Sequence, residues 1–445
     1  MPRLRHYSSV SKAQESRIRE LERQLELAQE ENAKLKAKIA ELERRLLQFE
    51  NPHTPPSLRV KAKKRPPKHG KPGQKPGHEG FTRLQPIPER TERVEIGTCP
   101  HCRARLGKPV KVERDVIEEM PEPQPAEVIC YETLHYRCHR CGREIVSVHP
   151  DKPKSGRFGA NAQTMMTLKR YCSRLPHRKV TETMREEHGF TITPATVWNT
   201  TKSVAGHLKP GYDEIVRMLR KSPFVHIDET SYKVDGKKWW HWVFTTGDAT
   251  VFAIRKSRGV KVIREFLGRR YKGVIVSDGL CSYASYGGKR QRCWAHILRE
   301  FKELGEKDLT AKVLHDELRK LYDSINEALS KGPPPEERRG IYKKAKEQLQ
   351  WLLAANRRGR SGELVRKMRK GGDNWLTFIL HPGVEPTNNR AERALREGIV
   401  LRKIIGTLRN GVGAEVHAIN MSMIATWKQR GENPYRVLKP LLCCG

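Results

Sequence analysis

The sequence contains no run of about 18 apolar residues, which is the length a helix needs to cross a membrane. Its first residues, 1–19, are charged and lack the apolar stretch of a secretory signal. We therefore expect a protein without membrane segments that stays in the reducing cytoplasm. In that compartment its ten cysteines are better suited to metal ligation than to disulfides.

Acidic residues are scarce relative to basic ones. The 445 residues include 87 Lys and Arg but 51 Asp and Glu, which gives a formal net charge of +36. An excess of this size predicts a polyanionic partner, for which nucleic acid is the first candidate. Charge alone says nothing about chemistry, because a protein that only coats RNA would show the same excess.

A stretch near the N-terminus, residues 18–49, has apolar residues at alternating steps of three and four, the heptad pattern of a coiled coil. Asn32 would be the single polar core position that fixes the register. Charges beside the core, such as Glu31 with Lys36, attract each other in a parallel dimer. We predict a parallel homodimeric coiled coil over residues 15–50, with a long solvated helix as the alternative. The core positions are Ile18, Leu21, Leu25, Ala28, Asn32, Leu35, Ile39, Leu42, Leu46 and Phe49.

The composition then changes, since residues 51–78 contain no acid and seven prolines. Proline forbids a regular helix, so we expect an extended arm over residues 51–90 that binds DNA through its cations. A plain flexible linker is the alternative. The cations are Arg59, Lys61, Lys63, Lys64, Arg65, Lys68, Lys71 and Lys75.

Two CxxC pairs follow, Cys99 with Cys102 and Cys138 with Cys141, separated by 35 residues. Each pair places two thiolates on one tight turn, and two such turns make a tetrahedral site. We predict a structural Zn²⁺ ion bound by these four cysteines in a domain over residues 91–155. Four reduced cysteines without metal are the alternative.

Residues 156–215 have the pattern of a helix-turn-helix module. A helix from Val180 to His188 stops at Gly189, and Thr193 is suited to cap a new helix that has Pro194 in its first position. The helix after this turn has the layout of a recognition helix, so DNA contact is predicted here. Plain helical packing is the alternative.

The next segment, residues 220–301, alternates short apolar strands with turns. One strand runs from Phe224 to Asp228 and another from Gly273 to Asp278, so both end in an acid. Between them we predict three further strand segments, 232–234, 239–245 and 250–254, and a helix near 261–267. Three antiparallel strands, a helix and a parallel strand is the order of ribonuclease H, in which the two acids lie side by side. Such carboxylates can share two Mg²⁺ ions.

A third acid is predicted in a helix that opens near residue 388 and is capped by Thr387 or Asn388. Glu392 lies in its first turns, and Glu229, Glu385 and Glu397 are rivals for the same role. Residues suited to bind DNA phosphates surround it at helical spacing; they are Asn389, Arg390, Arg393 and Arg396.

Taken together, these motifs resemble the insertion-sequence-66 (IS66) family of bacterial transposases over nearly the whole chain. The resemblance rests on several motifs jointly, of which the most specific is Asn-Asn-Arg-Ala-Glu-Arg at 388–393. The others are Gly-Gln-Lys-Pro-Gly-His at 73–78, Cys-Pro-His-Cys at 99–102, His-Ile-Asp-Glu-Thr at 226–230, Ser-Asp-Gly at 277–279, Cys-Trp-Ala-His at 293–296, Arg402-Lys403 and Asn433-Pro434.

The resemblance implies a DDE transposase with Asp228, Asp278 and Glu392 as catalytic ligands of two Mg²⁺ ions. It implies an α/β protein with a ribonuclease H-like core, interrupted by an all-helical insertion over residues 302–375 and completed by residues 376–440. Cys293 and His296 look like the family's Cys-x2-His signature, for which we favour a structural role near the site, with metal ligation as the alternative.

The implied function is Mg²⁺-dependent cleavage at terminal inverted repeats, followed by strand transfer into target DNA through in-line phosphoryl transfer. The implied partners are double-stranded DNA and small accessory proteins of the same element, in the cytoplasm at the nucleoid. A catalytically inactive descendant that acts as a DNA-binding repressor is the alternative.

Overall fold

The computed structural model describes residues 12–49, 86–354 and 359–443. The chain divides into two compact units, residues 1–120 and residues 121–445, and each is described by itself. Within the described ranges, no helix combines the length and the apolar character needed to cross a bilayer. The predicted cations of the basic arm, at positions 59–75, lie outside these ranges.

The first unit contains one long helix, α1 (Lys12–Phe49). Its described heptad core positions are open to solvent in the single chain, with Leu25 59% and Ile39 55% exposed. A run of apolar side chains on an exposed helix is what a second helix would cover. The homodimer itself stays a prediction.

The second unit begins with a small antiparallel hairpin of β1 (Leu134–Arg137) and β2 (Glu144–Ser147). Three helices follow: α2 (Ala160–Tyr171), α3 (His177–His188) and α4 (Pro194–Lys221). The turn before α4 is built as its sequence predicts, since Gly189 is left-handed and the Thr193 hydroxyl accepts a hydrogen bond from the Thr196 N–H. However, α4 is 28 residues long, and its second half packs into the main core.

A five-stranded sheet forms the centre of this unit. Its spatial order is β5-β4-β3-β6-β7, with β3–β4 and β4–β5 antiparallel and β3–β6 and β6–β7 parallel. Helices α5 (Val260–Leu267) and α6 (Cys281–Tyr286) connect the later strands. The strands are β3 (Phe224–Val234), β4 (Lys237–Thr245), β5 (Thr250–Arg255), β6 (Val274–Ser277) and β7 (Arg290–Arg292).

One sequence prediction about this sheet was wrong. Residues 224–228 and 232–234 were expected as two strands, with Asp228 at the end of the first. Instead, β3 runs unbroken and pairs with β4 along its whole second half, from Asp228 opposite Val243 to Val234 opposite Lys237. The polar residues at 229–231 interrupt the apolar pattern but not the ladder.

The two faces of the sheet pack against different helices. One face, with Val225, Ile227 and Ile275, joins α4 and α5 in the largest core cluster. The other face, with Val274 and Val276, is covered by the helices that follow β7. Since side chains alternate along a strand, residues of even number on β3 and β6 share this second face.

The segment after β7 is helical wherever it is described. It comprises α7 (Trp294–Gly305), α8 (Leu309–Ser330), α9 (Pro335–Ala354), α10 (Gly359–Gly371), a 3-10 turn (Gly372–Trp375) and α11 (Thr377–Leu380). Residues 359–362 form the first turn of α10 although two of the four are glycine.

Three helices complete the fold: α12 (Asn389–Ile405), α13 (Gly411–Gln429) and α14 (Pro434–Leu441). Helix α13 closes the open edge of β5, because the hydroxyls of Ser422 and Thr426 accept the N–H groups of Phe252 and Thr250 at 2.8 and 3.1 Å. An edge that is satisfied in this way does not pair with another sheet.

Candidate active site

Two aspartates lie level with each other on adjacent parallel strands. The β3–β6 register pairs Phe224 with Val274 and ends with His226 opposite Val276. Two residues beyond this last pair come Asp228, within β3, and Asp278, directly after β6. Neighbouring strands are about 5 Å apart, and both positions have the parity of the second face, so we expect both aspartates on that face. The ligand atoms of Asp228, Asp278 and Glu392 do not all lie within 4.8 Å of one another.

Helix α12 brings Glu392 to the same face. Its residues Ala391 and Leu395 pack against Val243 and Phe252 of β4 and β5. Further along, the helix approaches the sheet closely, because a Cβ at Gly398 would lie 2.2 Å from Cε1 of His241. Glu392 lies in the first turn of this helix, four residues after Asn388.

Asn388 fixes the start of that helix against the sheet. Its fully buried side chain donates from Nδ2 to the carbonyl of Ile227 at 2.8 Å, directly before Asp228. Asn388 is the N-cap residue of α12, which is one of the two predicted alternatives, but its side chain does not cap the helix. Its amide is used to bind β3 instead.

The pKa of Asp228 responds to the acids around it. Burial raises the pKa of Asp228 to about 7, and the negative charges of Glu229, Asp278 and Glu392 contribute to this rise. The Glu229 N–H, which donates to Oδ1 of Asp228 at 2.9 Å, opposes this shift. Each of these carboxylates therefore makes it harder for Asp228 to ionise, unless a cation joins them.

The rival glutamates are all paired with arginine. Glu229 is buried on the opposite face, where it accepts from Arg258 at 2.9 Å and from the hydroxyl of Tyr283. The other two pairs are Glu385 with Arg390 at 2.6 Å and Glu397 with Arg174 at 2.7 Å. Within the described ranges no Lys or Arg pairs with Asp228, Asp278 or Glu392, whose one ion-pair contact is His296.

The predicted phosphate-binding residues of α12 divide into two groups. Asn389, Arg393 and Arg396 are exposed. Arg390, by contrast, is half-buried, and beyond its pair with Glu385 it donates to the carbonyl of Thr246 at 3.2 Å. Arg390 thus holds α12 to the sheet in this structure, while the other three are free to meet a ligand.

Cys293 and His296 adjoin the acid site. The Sγ atom of Cys293 accepts the Asn388 N–H at 3.1 Å, and the Trp294 N–H donates to the Pro386 carbonyl at 3.0 Å. Nδ1 of His296 lies 3.7 Å from Oε1 of Glu392. The sequence signal for these contacts is the Cys-x2-His spacing, which by itself identified neither Asn388 nor Glu392 as a neighbour.

The two CxxC pairs form equivalent turns, each described within its own unit. In both turns the N–H four residues after the first cysteine returns to that cysteine's carbonyl at 2.9 Å, from Arg103 to Cys99 and from Gly142 to Cys138. Both of these donor residues have positive φ, 61° and 68°. Backbone N–H groups of the turn lower the pKa of the Cys99 and Cys138 thiols, which favours thiolates.

Comparison with known proteins identifies the family of the chain. The chain is 23% identical over 413 residues to the uncharacterized protein y4jD of Sinorhizobium fredii (strain NBRC 101917 / NGR234), and the match covers 80% of this chain and 77% of that protein. The model of the IS66 family of transposases matches residues 155–416, which include Asp228, Asp278 and Glu392. Because this match spans more than half of the chain, the protein belongs to the IS66 transposase family.

Proposed function

We propose that the protein is a DDE transposase that cuts DNA at the terminal inverted repeats of its element and joins the ends to target DNA. The observation that supports this proposal is that the negative charges of Asp278 and Glu392 contribute to the raised pKa of Asp228, while no Lys or Arg pairs with any of the three among the described residues. The strand order around them supports a ribonuclease H-like core.

The donor set fits divalent cations of the Mg²⁺ class. Three carboxylates are the hard oxygen ligands that Mg²⁺ prefers. The raised pKa of Asp228 reflects their mutual repulsion as well as burial, and a dication would relieve that repulsion. Oε1 of Glu392 is buried and has no hydrogen-bond partner in the part of the chain that the structure describes. When bound, two such ions would supply an activated water and stabilise the leaving 3′ oxygen.

The residues of the chain itself position the DNA. Asn389, Arg393 and Arg396 are exposed on the helix that carries Glu392, so they can bind phosphates beside the scissile bond. Asn388 and Arg390 hold that helix to β3 and to Thr246. A phosphodiester bound by the exposed group would therefore meet carboxylates whose spacing is fixed by the sheet.

The regions before the core would organise two DNA ends. We propose that α1 pairs with α1 of a second copy, because its apolar core positions are exposed. Zn²⁺ bound by Cys99, Cys102, Cys138 and Cys141 would be structural, since four thiolates leave no open position. The basic arm and the start of α4 would contact DNA along its backbone and in its major groove.

A cleavage assay tests the catalytic proposal. Labelled duplexes copied from the DNA that flanks the gene are incubated with the full-length protein and Mg²⁺. Asp228→Asn, Asp278→Asn and Glu392→Gln should bind these duplexes but cut them at least roughly a thousandfold more slowly, because each loses several kcal/mol of transition-state stabilisation.

Glu397→Gln is the matched control, since it alters a glutamate of the same helix that pairs with Arg174 and faces away from the aspartates. It should cut at the wild-type rate. If Glu392→Gln also did so, the assignment of Glu392 would be wrong. If the wild-type protein retarded the duplex without nicking it, the protein would be a DNA-binding repressor.

A further inference from the structure

We propose that Cys293, His296 and Glu392 form a second cation site, one for a transition metal of the zinc class, which holds the catalytic glutamate in place. One ligand atom from each of these residues lies within 4.8 Å of the other two. In the described part of the chain, this is the one group of three or more such side chains that meets this criterion.

The unsatisfied atoms of this group indicate a missing ligand. Nδ1 of His296 and Oε1 of Glu392 are both buried and have no hydrogen-bond partner among the described residues, although they lie only 3.7 Å apart. A buried polar atom without a partner is unfavourable, because it loses its hydrogen bonds to water, and such atoms are rare in folded proteins. A cation between them would satisfy both at once.

Cys293 completes the set from the start of α7. Its side chain is 2% exposed, and Sγ already accepts the Asn388 N–H at 3.1 Å. Cys293 also occupies the N-cap position of α7. Burial raises the pKa of its thiol, so a bound metal would have to displace the thiol proton. His296 follows one turn later on the same helix, so the two ligands share a rigid support.

The chemistry of the donors selects the metal. Sulfur, imidazole nitrogen and a carboxylate oxygen suit Zn²⁺ or Co²⁺ and do not suit Mg²⁺, which prefers oxygen alone. His296 and Glu392 are 38% and 33% exposed, so a water molecule can reach the fourth position. The site would therefore have three protein ligands and one open position.

The two sites need not compete for Glu392. Its carboxylate has two oxygens, and Oε1 is the one that faces His296. A metal on Oε1 would leave Oε2 for the ions shared with Asp228 and Asp278. Cys293 and His296 would then be positioning residues. Their effect on cleavage rests on the proposed function, whereas metal binding does not.

Cobalt binding tests the site in the full-length chain. To remove the other thiolate site, all four CxxC cysteines are changed to serine. No described residue between 86 and 155 contributes to a hydrophobic core cluster, so this background should leave the core intact. The chelator-treated protein is titrated with Co²⁺, and the sulfur-to-cobalt absorption band is recorded.

We expect one Co²⁺ per chain with the band of a single thiolate. Cys293→Ser should remove the band, and Cys172→Ser, which alters another partly buried cysteine, should keep it. His296→Gln should lose the bound ion, and because His296 is partly exposed this variant should fold even if Cys293→Ser does not. Absence of the band in the background, or its survival in both Cys293→Ser and His296→Gln, would overturn the proposal. If the wild-type chain showed the cobalt band but cut no DNA, the proposed function would be wrong and the metal site would stand.

Discussion

The close approach of α12 to the sheet predicts an unusual response to a helix-favouring substitution. Replacing a glycine by alanine inside a helix normally stabilises a protein by about 0.5–1 kcal/mol. At Gly398 the new Cβ would lie 2.2 Å from Cε1 of His241, so helix and ring would have to separate by about 1 Å to reach ordinary contact. His241 is fully buried and packs against Tyr232, Phe252 and His417, so its ring has no space to rotate into.

Overpacking of this kind costs about 1–3 kcal/mol, which exceeds or cancels the helix-propensity gain. Gly398→Ala should therefore leave stability unchanged or lower it by up to about 2 kcal/mol. Glu392 lies six residues earlier on the same helix, so displacing the helix would also displace the carboxylate. A misplacement of about 1 Å can reduce the cleavage rate by about a hundredfold.

Gly206→Ala is the matched control, because Gly206 lies inside α4 and a Cβ added there would have no atom within 4 Å. In thermal and denaturant unfolding, Gly206→Ala should be more stable than the wild type, and Gly398→Ala should be equally stable or less stable. In a His241→Ala background the ring is gone, so Gly398→Ala should cost less. The reasoning would be refuted by a Gly398→Ala protein that is stabilised as much as Gly206→Ala and cuts DNA normally.

Three further predictions concern the acids, the anchor of α12 and the thiolates. Since a dication binds ionised Asp228, whose pKa is about 7, Mg²⁺ affinity measured by calorimetry should be about tenfold weaker at pH 6 than at pH 8, and Asp228→Asn should remove this slope. Because the folded pKa lies above the ordinary value, the same carboxyl stabilises the metal-free protein most at low pH, and this contribution is lost as the pH rises through about 7. Asn388→Ala should lower the free energy of unfolding by about 1–3 kcal/mol, because the Ile227 carbonyl loses its side-chain partner; an unchanged denaturation midpoint would contradict this. Cys99→Ser and Cys138→Ser should each lose one zinc ion per chain by elemental analysis, and the double variant should also lose only one, because all four cysteines bind the same ion. Loss of two ions in the double variant would indicate two independent sites.

The sequence was sufficient to predict helix ends and strands that depend on residues adjacent in the chain. The end of α3 at Gly189 and the start of α4 at Thr193 and Pro194 follow from backbone geometry and capping chemistry. The parallel neighbourhood of β3 and β6 was also predictable, because the sequence predicts two apolar strands, at 224–228 and 273–278, in ribonuclease H order.

Contacts between residues that are far apart in the chain could not be predicted from the sequence in this way. Glu229 could not be dismissed as a rival until Arg258 and Tyr283 were seen to hold it on the opposite face. Because that pairing neutralises a carboxylate within β3, it also explains why the strand continues where the sequence predicted a break. Likewise, Asn388 looked like a helix cap, and its actual partner lies 161 residues earlier in the chain.

The hydrogen bond between the Trp294 N–H and the Pro386 carbonyl marks the point where the chain leaves the sheet and returns to it. Such a closure lets natural variants lengthen or shorten the intervening helices at little entropic cost, for example at the loop 331–334. The helices that contact the sheet do not tolerate such changes in length. Thr377 binds the carbonyl of Arg290 at the edge of β7, and Val274 and Val276 are buried only by these helices. The loops of this helical segment that lie far from the sheet can therefore vary in length. Removal of the whole segment would expose the sheet face on which the aspartates are expected.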